Sequence, residues 1–352
     1  MKQTVFISLL VLSFLCSVGC GKDRVDNMEL PAILKKFTPK TQSFEINPKI
    51  KSKVKGKRGT CLIIPPKTFD LDYDDLKTGE KISVQLVEVI DNFDFITAGV
   101  SLIYYNKARK EEQIFESAGM FKVTATYKGD RLKLVDGKKI TVEFPNMVPG
   151  EKFNVYKVNS SGQWEYNGHN QELLLAQKET TLSGDDYSSL SYEIKKMTKK
   201  ERKVYRRYIK IRQYAIDQLT WWNFDYPHSY FTCIKGKVLI KEKTNYAIYV
   251  IPYNFKGGSS FSHYKSNFKI RYLKQKKIRL LIITQDGRIG KSRIFWTSFK
   301  YGSTSCKEGP HCYCKNSDKP IKLIKPDKNI LKDKNSFMKY LNMKPEVYNI
   351  RR

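Results

Sequence analysis

The sequence predicts a mainly β protein in which two β-sandwich-like domains lie in tandem and are joined by an amphipathic basic helix. Short runs of alternating apolar and polar residues recur at even spacing with Gly and Asp dipeptides between them, which is typical of antiparallel strands and hairpin turns. Between Met197 and Leu219 the apolar spacing changes to that of a helix. The predicted segments are a signal peptide (1–19), a tether (20–58), a first β-sandwich (59–175), a polar linker and basic helix (176–218), a second β-rich domain (219–301) and a Cys-containing basic tail (302–352).

The first twenty residues have the pattern of a bacterial lipoprotein signal peptide. Lys2 supplies the positive start, Val5 to Val18 form an apolar stretch too short for a permanent membrane span, and small residues precede Cys20. Ser17 stands where the lipobox usually has leucine. We expect Cys20 to become the lipidated N-terminus of an outer-membrane lipoprotein that faces the periplasm or the cell surface. The alternative is an ordinary secretory signal cleaved after Gly19, which leaves Cys20 as an unmodified thiol.

The chain is strongly basic, with 65 Lys and Arg against 35 Asp and Glu and a formal net charge of +30. In the cytosol such a charge would favour nucleic acid as the partner, but the signal peptide removes that compartment. The expected partners are the membrane through the lipid, another envelope protein, or an anionic glycan or lipid. A lysine-rich composition encoded by an AT-rich genome is the alternative explanation. No second run of 18 apolar residues follows the signal peptide, so no integral span is expected.

The first predicted sandwich follows a proline-containing, lysine-rich tether. Apolar and polar residues alternate from Ile82 to Leu86 and again from Phe121 to Tyr127, and Gly129-Asp130 and Asp136-Gly137 have the composition of hairpin turns. Ile140 to Phe144 is a further strand, ended by Pro145. Several strands at short spacing with turn residues between them indicate a β-sandwich.

The helix is predicted from five apolar positions at helical spacing, with cationic residues on its other faces. The apolar positions are Val204, Tyr208, Ile211, Ala215 and Leu219, and the cations are Lys203, Arg206, Arg207 and Lys210. Such a helix packs its apolar stripe on a neighbouring domain, or lies on an anionic membrane surface. Strand composition then returns at Phe231 to Ile240, Asn245 to Tyr253 and Ile278 to Thr284, which form the second β-rich domain.

Three segments together resemble known envelope proteins. Gly59 to Pro66, followed by the strand Ile82 to Val89, resembles the opening of a ZU-five-like β-sandwich. Phe115 to Val123 and Leu132 to Pro145 are similar to matching pieces of uncharacterised Bacteroidetes lipoproteins, which have glycine where this chain has Ala118. Leu219 to Asp225 is similar to a Trp-Ile-Asn-Cys-Asp segment of that group. The resemblance implies an extracytoplasmic scaffold or interaction module, and it implies neither catalytic residues nor a cofactor.

Five cysteines remain once Cys16 leaves with the signal peptide and Cys20 is lipidated, and an odd number cannot all pair within one chain. Cys306, His311, Cys312 and Cys314 fall within nine residues and form either a disulfide or a metal site. A disulfide from Cys306 to Cys312 or Cys314 is expected in an oxidising envelope, because a C-x-C pair strains tetrahedral zinc ligation. We assign no metal with these residues.

The densest aromatic cluster supplies the candidate ligand-binding residues. Trp221, Trp222, Tyr226 and Tyr230 would stack on sugar rings if exposed and would form the core of the second domain if buried. The acidic run Asp70 to Asp75 lacks the glycine and the glutamate of a calcium loop, so we interpret it as a solvated loop.

The sequence contains no recognised motif for a catalytic nucleophile, such as the G-x-S-x-G turn of hydrolases. We therefore expect a non-enzymatic envelope lipoprotein that binds or scaffolds another component, with no cofactor. The first alternative is an acidic-glycan-binding lipoprotein that uses an aromatic and basic surface. The second is a hydrolase with an unrecognised site, for instance among Asp70 to Asp75 and His169.

Overall fold

The computed structural model describes residues 25, 28–145, 153–169, 211–240, 244–253, 255–297, 314–317 and 319–343. Within these residues the chain is mainly β, as the sequence predicts, with antiparallel pairing dominating four sheets. No helix in the described ranges is long and apolar enough to cross a membrane.

The strands and helices have the following bounds. The first strands are β1 (Gln42–Ile46), β2 (Ser52–Lys55), β3 (Cys61–Ile64), β4 (Ile82–Val89), β5 (Ile103–Asn106), β6 (Glu111–Tyr127), β7 (Asp130–Arg131), β8 (Ile140–Pro145), β9 (Asn154–Val158), β10 (Trp164–His169), β11 (Ile211–Ile216) and β12 (Trp221–His228). The later strands are β13 (Phe231–Leu239), β14 (Tyr246–Pro252), β15 (Ser259–His263), β16 (Asn267–Leu273), β17 (Lys277–Thr284), β18 (Ile289–Lys291), β19 (Phe295–Trp296), β20 (Cys314–Asn316) and β21 (Ile321–Lys322). The helices are α1 (Ala32–Lys35), α2 (Asn92–Thr97) and α3 (Lys334–Tyr340).

Two of the sheets enclose the first core. The larger has the order β1-β4-β6-β12-β9-β10, with β5 and β7 also paired to β6, and the smaller has the order β11-β8-β3-β2. Successive side chains of a strand point to opposite faces, and alternate residues of β4 and β6 are buried between these sheets. Phe121, Val123 and Ala125 of β6 belong to this core, together with Ile140, Val142 and Phe144 of β8.

The predicted helix is wrong where it can be compared with the structure. Ile211–Ile216 is strand β11, paired antiparallel with β8 from Ile211 opposite Pro145 to Ile216 opposite Ile140. Tyr214 and Ile216, two residues apart, are buried in the first core, so the burial follows the period of a strand. Residues 197–210 of the predicted helix lie outside the described residues.

Strand β12 lies in the first sheet pair, although the sequence assigns its residues to the second domain. Trp221–His228 pairs with β6 on one side, and its first half pairs with β9 on the other. Trp222 and Phe224 pack in the same core as Phe121 and Phe144. These side chains complete the first core, which accounts for the position of β12 in the middle of the larger sheet.

The remaining two sheets form a second core. β13 pairs with β16, β20 and β21, and β14 lies between β15 and β17, with β18 and β19 paired to β17. Ile234, Ile248, Tyr272, Leu280 and Ile282 are fully buried in this core.

A third apolar cluster joins the three helices to the strands of the second core. Leu34 of α1, Phe93 of α2 and Phe337 of α3 pack with Tyr249 of β14 and Leu281 of β17. The ring centroids of Phe93 and Phe337 are 5.7 Å apart in an edge-on arrangement. Helix α2 follows β4 in the first sheet, so this cluster fastens the first sheet pair to the second.

Candidate functional site

The candidate site is built on a β-bulge between β6 and β12. Phe224 lies opposite Gly119, but the next residue, Asp225, lies opposite Ser117, so Ala118 is the extra residue of the bulge. Gly119 has φ +138°, and a Cβ there would lie 2.6 Å from ring atoms of Phe144. The two segments that the sequence analysis singled out, 115–123 and 219–225, are therefore neighbouring strands.

A buried polar network fills the bulge. Ser117 Oγ donates to Asn223 Oδ1 at 2.7 Å, the Gly119 N–H donates to Ser117 Oγ at 3.1 Å, and Asn223 Nδ2 donates to Asp225 Oδ2. Asp225 Oδ1 is buried with no partner among the described residues. Burial raises the pKa of Asp225 well above its usual range, although the hydrogen bond from Asn223 acts in the opposite direction. The fold therefore favours a neutral carboxylic acid at this position.

One carboxylate next to this network joins the two sheet pairs. Glu116 Oε2 lies 2.7 Å from His228 Nε2 and accepts a hydrogen bond from Lys276 Nζ at 2.9 Å. Burial raises the pKa of Glu116, but the hydrogen bonds and charges of His228 and Lys276 outweigh it and the pKa is lowered overall. Lys276 Nζ also lies 4.4 Å from the centroid of the Phe255 ring. Glu116 thus holds a strand of the first sheet against the start of β17.

An open concavity of about 310 Å³ lies over this junction. Its lining residues are His228, Tyr230, Leu273, Lys274, Gln275 and Lys276. The Lys274 N–H donates to the Tyr230 carbonyl at 2.9 Å, which fixes the two segments side by side. Tyr230 is 74% exposed and Tyr226 is 51% exposed. The surface thus combines the exposed Tyr230 ring with the side chains of Lys274, Lys276 and His228, of which Lys276 and His228 are paired with Glu116. An exposed ring beside polar and basic groups suits a ligand that has both an apolar face and polar groups.

The four aromatic residues proposed for stacking separate into two pairs. Trp222 is fully buried and Trp221 is 5% exposed, so neither presents a ring face to a ligand. Trp222 belongs to the first core, and Trp221 packs with Met120 and Tyr156 on the opposite face of the sheet. Tyr226 and Tyr230 lie beyond the bulge and near the end of the strand, where their rings reach solvent. The stacking hypothesis is therefore restricted to Tyr226 and Tyr230.

The cysteines have different states. Cys233 of β13 is disulfide-bonded, which the sequence analysis did not predict. Its backbone neighbour on the parallel strand β20 is Cys314. Cys61 is a buried free thiol, and burial raises its pKa to about 11. Of the five cysteines that follow Cys20, the structure thus describes one free thiol, Cys61, and one disulfide-bonded residue, Cys233.

The other proposed ligands lie outside the described residues. These are Cys20, Cys306, His311 and Cys312, together with the side chain of Cys314, so the disulfide and metal alternatives for the C-terminal cluster stay predictions. Within the described ranges, no group of three or more His, Cys, Asp and Glu side chains is placed to hold a metal ion.

The acidic run is a solvated loop, as expected. Asp70, Asp72, Asp74 and Asp75 are all exposed, and Asp72 Oδ1 accepts a hydrogen bond from the Asp74 N–H at 3.0 Å in a local turn. The backbone of His169 pairs with Asn154 at the end of β10.

A buried charge cluster at the start of α2 was missed by sequence reasoning. Asp91 accepts from the Asp94 N–H and Asp94 accepts from the Asp91 N–H, which is a capping box. Arg58 and Lys334 both form ion pairs with these two carboxylates. Burial raises the pKa of Asp91, but Lys334 and Arg58 outweigh it and the pKa is lowered overall. The acidic pair three residues apart, Asp91 and Asp94, was the only local signal for it.

No family model and no curated protein matches this chain. The functional interpretation therefore depends on the geometry of its own residues.

Proposed function

We propose that the protein is a lipid-anchored envelope protein that acts as a non-enzymatic binding or scaffolding module, and that it contacts its partner through the Tyr230 concavity. The observation that carries this proposal is the combination of an exposed ring, Tyr230, with Lys274, Lys276 and His228 around one open depression. Aromatic residues such as tyrosine are enriched where proteins bind partners.

The concavity is supported from below by groups that limit its movement. Glu116 accepts from Lys276 and lies within hydrogen-bonding distance of His228, and it is itself half-buried between the sheets. A surface whose side chains are already fixed loses less conformational entropy on binding. This favours a permanent contact surface over a loop that orders only around a ligand.

The envelope location depends on the N-terminal segment. Cys20 carries the lipid in this proposal, and two β-sandwich-like units follow in tandem. The tether predicted for residues 20–58 is shorter than expected, because β1 and β2 are strands of the first sheet pair and α1 packs in the third apolar cluster. The +30 net charge would hold the module close to anionic headgroups or glycans. Mass measurement of the mature N-terminus tests the lipid, because an unmodified Cys20 contradicts the anchor. Protease treatment of intact cells then separates surface exposure, in which the chain is cleaved, from a periplasmic position, in which it is protected.

Co-sedimentation of the purified, unlipidated Cys20→Ser chain with isolated envelopes of the source cells tests the contact surface, because a lipid anchor would sediment by itself. The double variant Tyr230→Ala/Lys274→Gln removes one ring and one charge from the concavity. The matched control Tyr264→Ala/Lys265→Gln makes the same changes at another exposed Tyr-Lys pair, in which Tyr264 is 51% exposed. We expect the first variant to lose co-sedimentation and the control to keep it. Equal retention by both variants would contradict the concavity as the contact surface.

Binding of an acidic glycan is the second candidate, and the exposure of Tyr226 and Tyr230 favours it. The Tyr230 ring, which lines the concavity, can stack on the apolar face of a sugar while Lys274 attracts a carboxylate or sulfate. A panel of acidic and neutral glycans decides between the candidates. Selective binding of acidic glycans that is lost in Tyr230→Ala supports the glycan, and binding of none of them leaves a protein partner as the proposal.

A further inference from the structure

The larger sheet carries a second groove at the other end of β6 and β12, about 360 Å³ in volume. Lys122, Thr124 and Thr126 alternate along β6 with the buried residues Phe121, Val123 and Ala125, so they point away from the first core. Gln85 of β4 lies opposite Thr124, and Arg131 of β7 lies opposite Thr126. The segment between α1 and β1 forms one wall through Thr38, Pro39 and Thr41.

Both charged residues that line the groove are cations. Lys122 and Arg131 are cationic, and no aspartate or glutamate lines the groove in the part of the chain that the structure describes. Lys122 Nζ lies 5.5 Å from the centroid of the Trp221 ring, which holds the ammonium over the groove floor. Lys122 and the position opposite Arg131 are four residues apart on β6, a separation of about 13 Å at the rise of a β-strand. The two cations therefore suit an elongated ligand with more than one negative group.

The neutral lining residues include both hydroxyl or amide groups and apolar side chains, the latter being Pro39, Val87, Ala98 and Trp221. Four threonines and Gln85 face the groove, and Thr124 Oγ1 donates to Gln85 Oε1 at 3.0 Å. These groups donate and accept hydrogen bonds on either side of a ligand, which matches the hydroxyl groups of a sugar chain.

Two other ligand classes fit less well. The floor is a sheet face whose backbone groups pair β4, β6 and β12, so an extended peptide finds no strand edge to join. Trp221 is 5% exposed, so it offers no platform for stacking a nucleic-acid base.

From this combination we propose that the groove binds an acidic oligosaccharide, with Lys122 and Arg131 contacting its carboxylates and the threonines and Gln85 contacting its hydroxyls. This site is separate from the Tyr230 concavity and does not depend on the function proposed for it.

Isothermal titration of the purified chain with tetragalacturonate, and with maltotetraose as the uncharged counterpart, tests the groove. The variant Lys122→Gln/Arg131→Gln removes its two charges. The control Lys51→Gln/Lys53→Gln removes two exposed charges at the start of the sandwich, on residues that do not line the groove. We expect the groove variant to bind tetragalacturonate at least ~10-fold more weakly than the wild type, the change equivalent to about 1.4 kcal/mol. The control should bind like the wild type, and maltotetraose should bind far more weakly than tetragalacturonate.

Several results would overturn the proposal. These are absence of binding by the wild type, equal binding of maltotetraose, equal weakening by the control variant, and unchanged binding by Lys122→Gln/Arg131→Gln. Titration of Tyr230→Ala/Lys274→Gln separates the two sites. If Tyr230→Ala/Lys274→Gln still binds tetragalacturonate, the oligosaccharide binds in the groove. If Tyr230→Ala/Lys274→Gln loses binding and Lys122→Gln/Arg131→Gln keeps it, the oligosaccharide binds in the concavity and the groove proposal is wrong.

Discussion

Arg58 forms an ion pair with the buried Asp94 carboxylate, and together with Lys334 this pair connects three separate parts of the chain. Arg58 Nη1 donates to Asp94 Oδ2 at 2.6 Å, and Lys334 of α3 reaches the other oxygen of the same carboxylate at 2.5 Å. Asp94 lies in α2, Arg58 lies in the turn between β2 and β3, and Phe337 of α3 packs on the second sheet pair. Because the side chain of Asp94 is only 4% exposed, little water reaches its negative charge, and the two cations compensate it instead.

The variant Asp94→Ala should therefore reduce the free energy of unfolding by roughly 1–3 kcal/mol, because it removes two ion pairs and one half of the capping box, while Asp91 still pairs with Arg58 and Lys334. Urea unfolding measures the loss. The variant Glu111→Ala is the control, since Glu111 and Arg109 form an exposed pair with 3.9 Å between its charged atoms. It should cost less than ~1 kcal/mol. Similar losses in the two variants would show that the cluster does not stabilise the fold.

The buried acid Asp225 should make stability fall as pH rises. Its pKa is raised in the folded state, so below pH ~4 both states are protonated and the group has no effect. Above that pH the unfolded chain ionises while the folded chain keeps the proton, which costs about 1.4 kcal/mol per pH unit between the two pKa values. The variant Asp225→Asn should thus be more stable than the wild type at pH 7, with the difference vanishing near pH 3. Chemical unfolding across this range measures it, and a difference independent of pH would contradict a protonated Asp225.

Gly119→Ala should distort the bulge that the candidate site is built on. The new Cβ would meet the Phe144 ring at 2.6 Å, and the φ of +138° is unfavourable for alanine. Gly129→Ala is the matched control, because Gly129 also has a positive φ, +96°, but has open space around its Cβ position. We expect Gly119→Ala to lose roughly 2 kcal/mol more than the control in thermal or urea unfolding. Equal losses would mean that the β6–β12 bulge tolerates a side chain.

The two described cysteines with known side-chain states should react differently with iodoacetamide. In the native protein at pH 8, Cys61 should be alkylated slowly, because burial raises its pKa to about 11 and shields the sulfur. In denaturant without reductant, Cys61 should be alkylated fully and Cys233 not at all, since Cys233 is disulfide-bonded. Peptide mass spectrometry measures both. Alkylation of Cys233 before reduction would contradict the disulfide.

The sequence predicts the sandwich strands well where a single period is present. β4 and the second half of β6 alternate cleanly, and their burial follows that alternation. β11 is ambiguous, because Ile211 and Ala215 fit a helical stripe while Tyr214 and Ile216 fit a strand, and pairing with β8 decides between them. Whether a short apolar segment forms a helix or a strand therefore depends on the segment that it packs against in the folded chain.

The site depends on long-range pairing that local patterns do not contain. Glu116 and Lys276 are 160 residues apart, and neither segment carries a signal for the other. The insertion of β12 between β6 and β9 decides that Trp222 is buried, and the structure leaves Tyr226 and Tyr230 exposed beyond the bulge. Composition identified the aromatic cluster, but the bulge and the strand order decide which of its rings a ligand can reach.

The central claim is that the Tyr230 concavity binds an envelope component, and site-specific photo-crosslinking in intact cells tests it most directly. A benzophenone amino acid at position 230 places the reactive group over the concavity, and the same substitution at Tyr264, which is 51% exposed, provides a solvent-accessible control. We predict a discrete crosslinked product, either a protein or a glycan, from position 230 and none from position 264. Absence of a product at 230, or the same products at both positions, would contradict the claim.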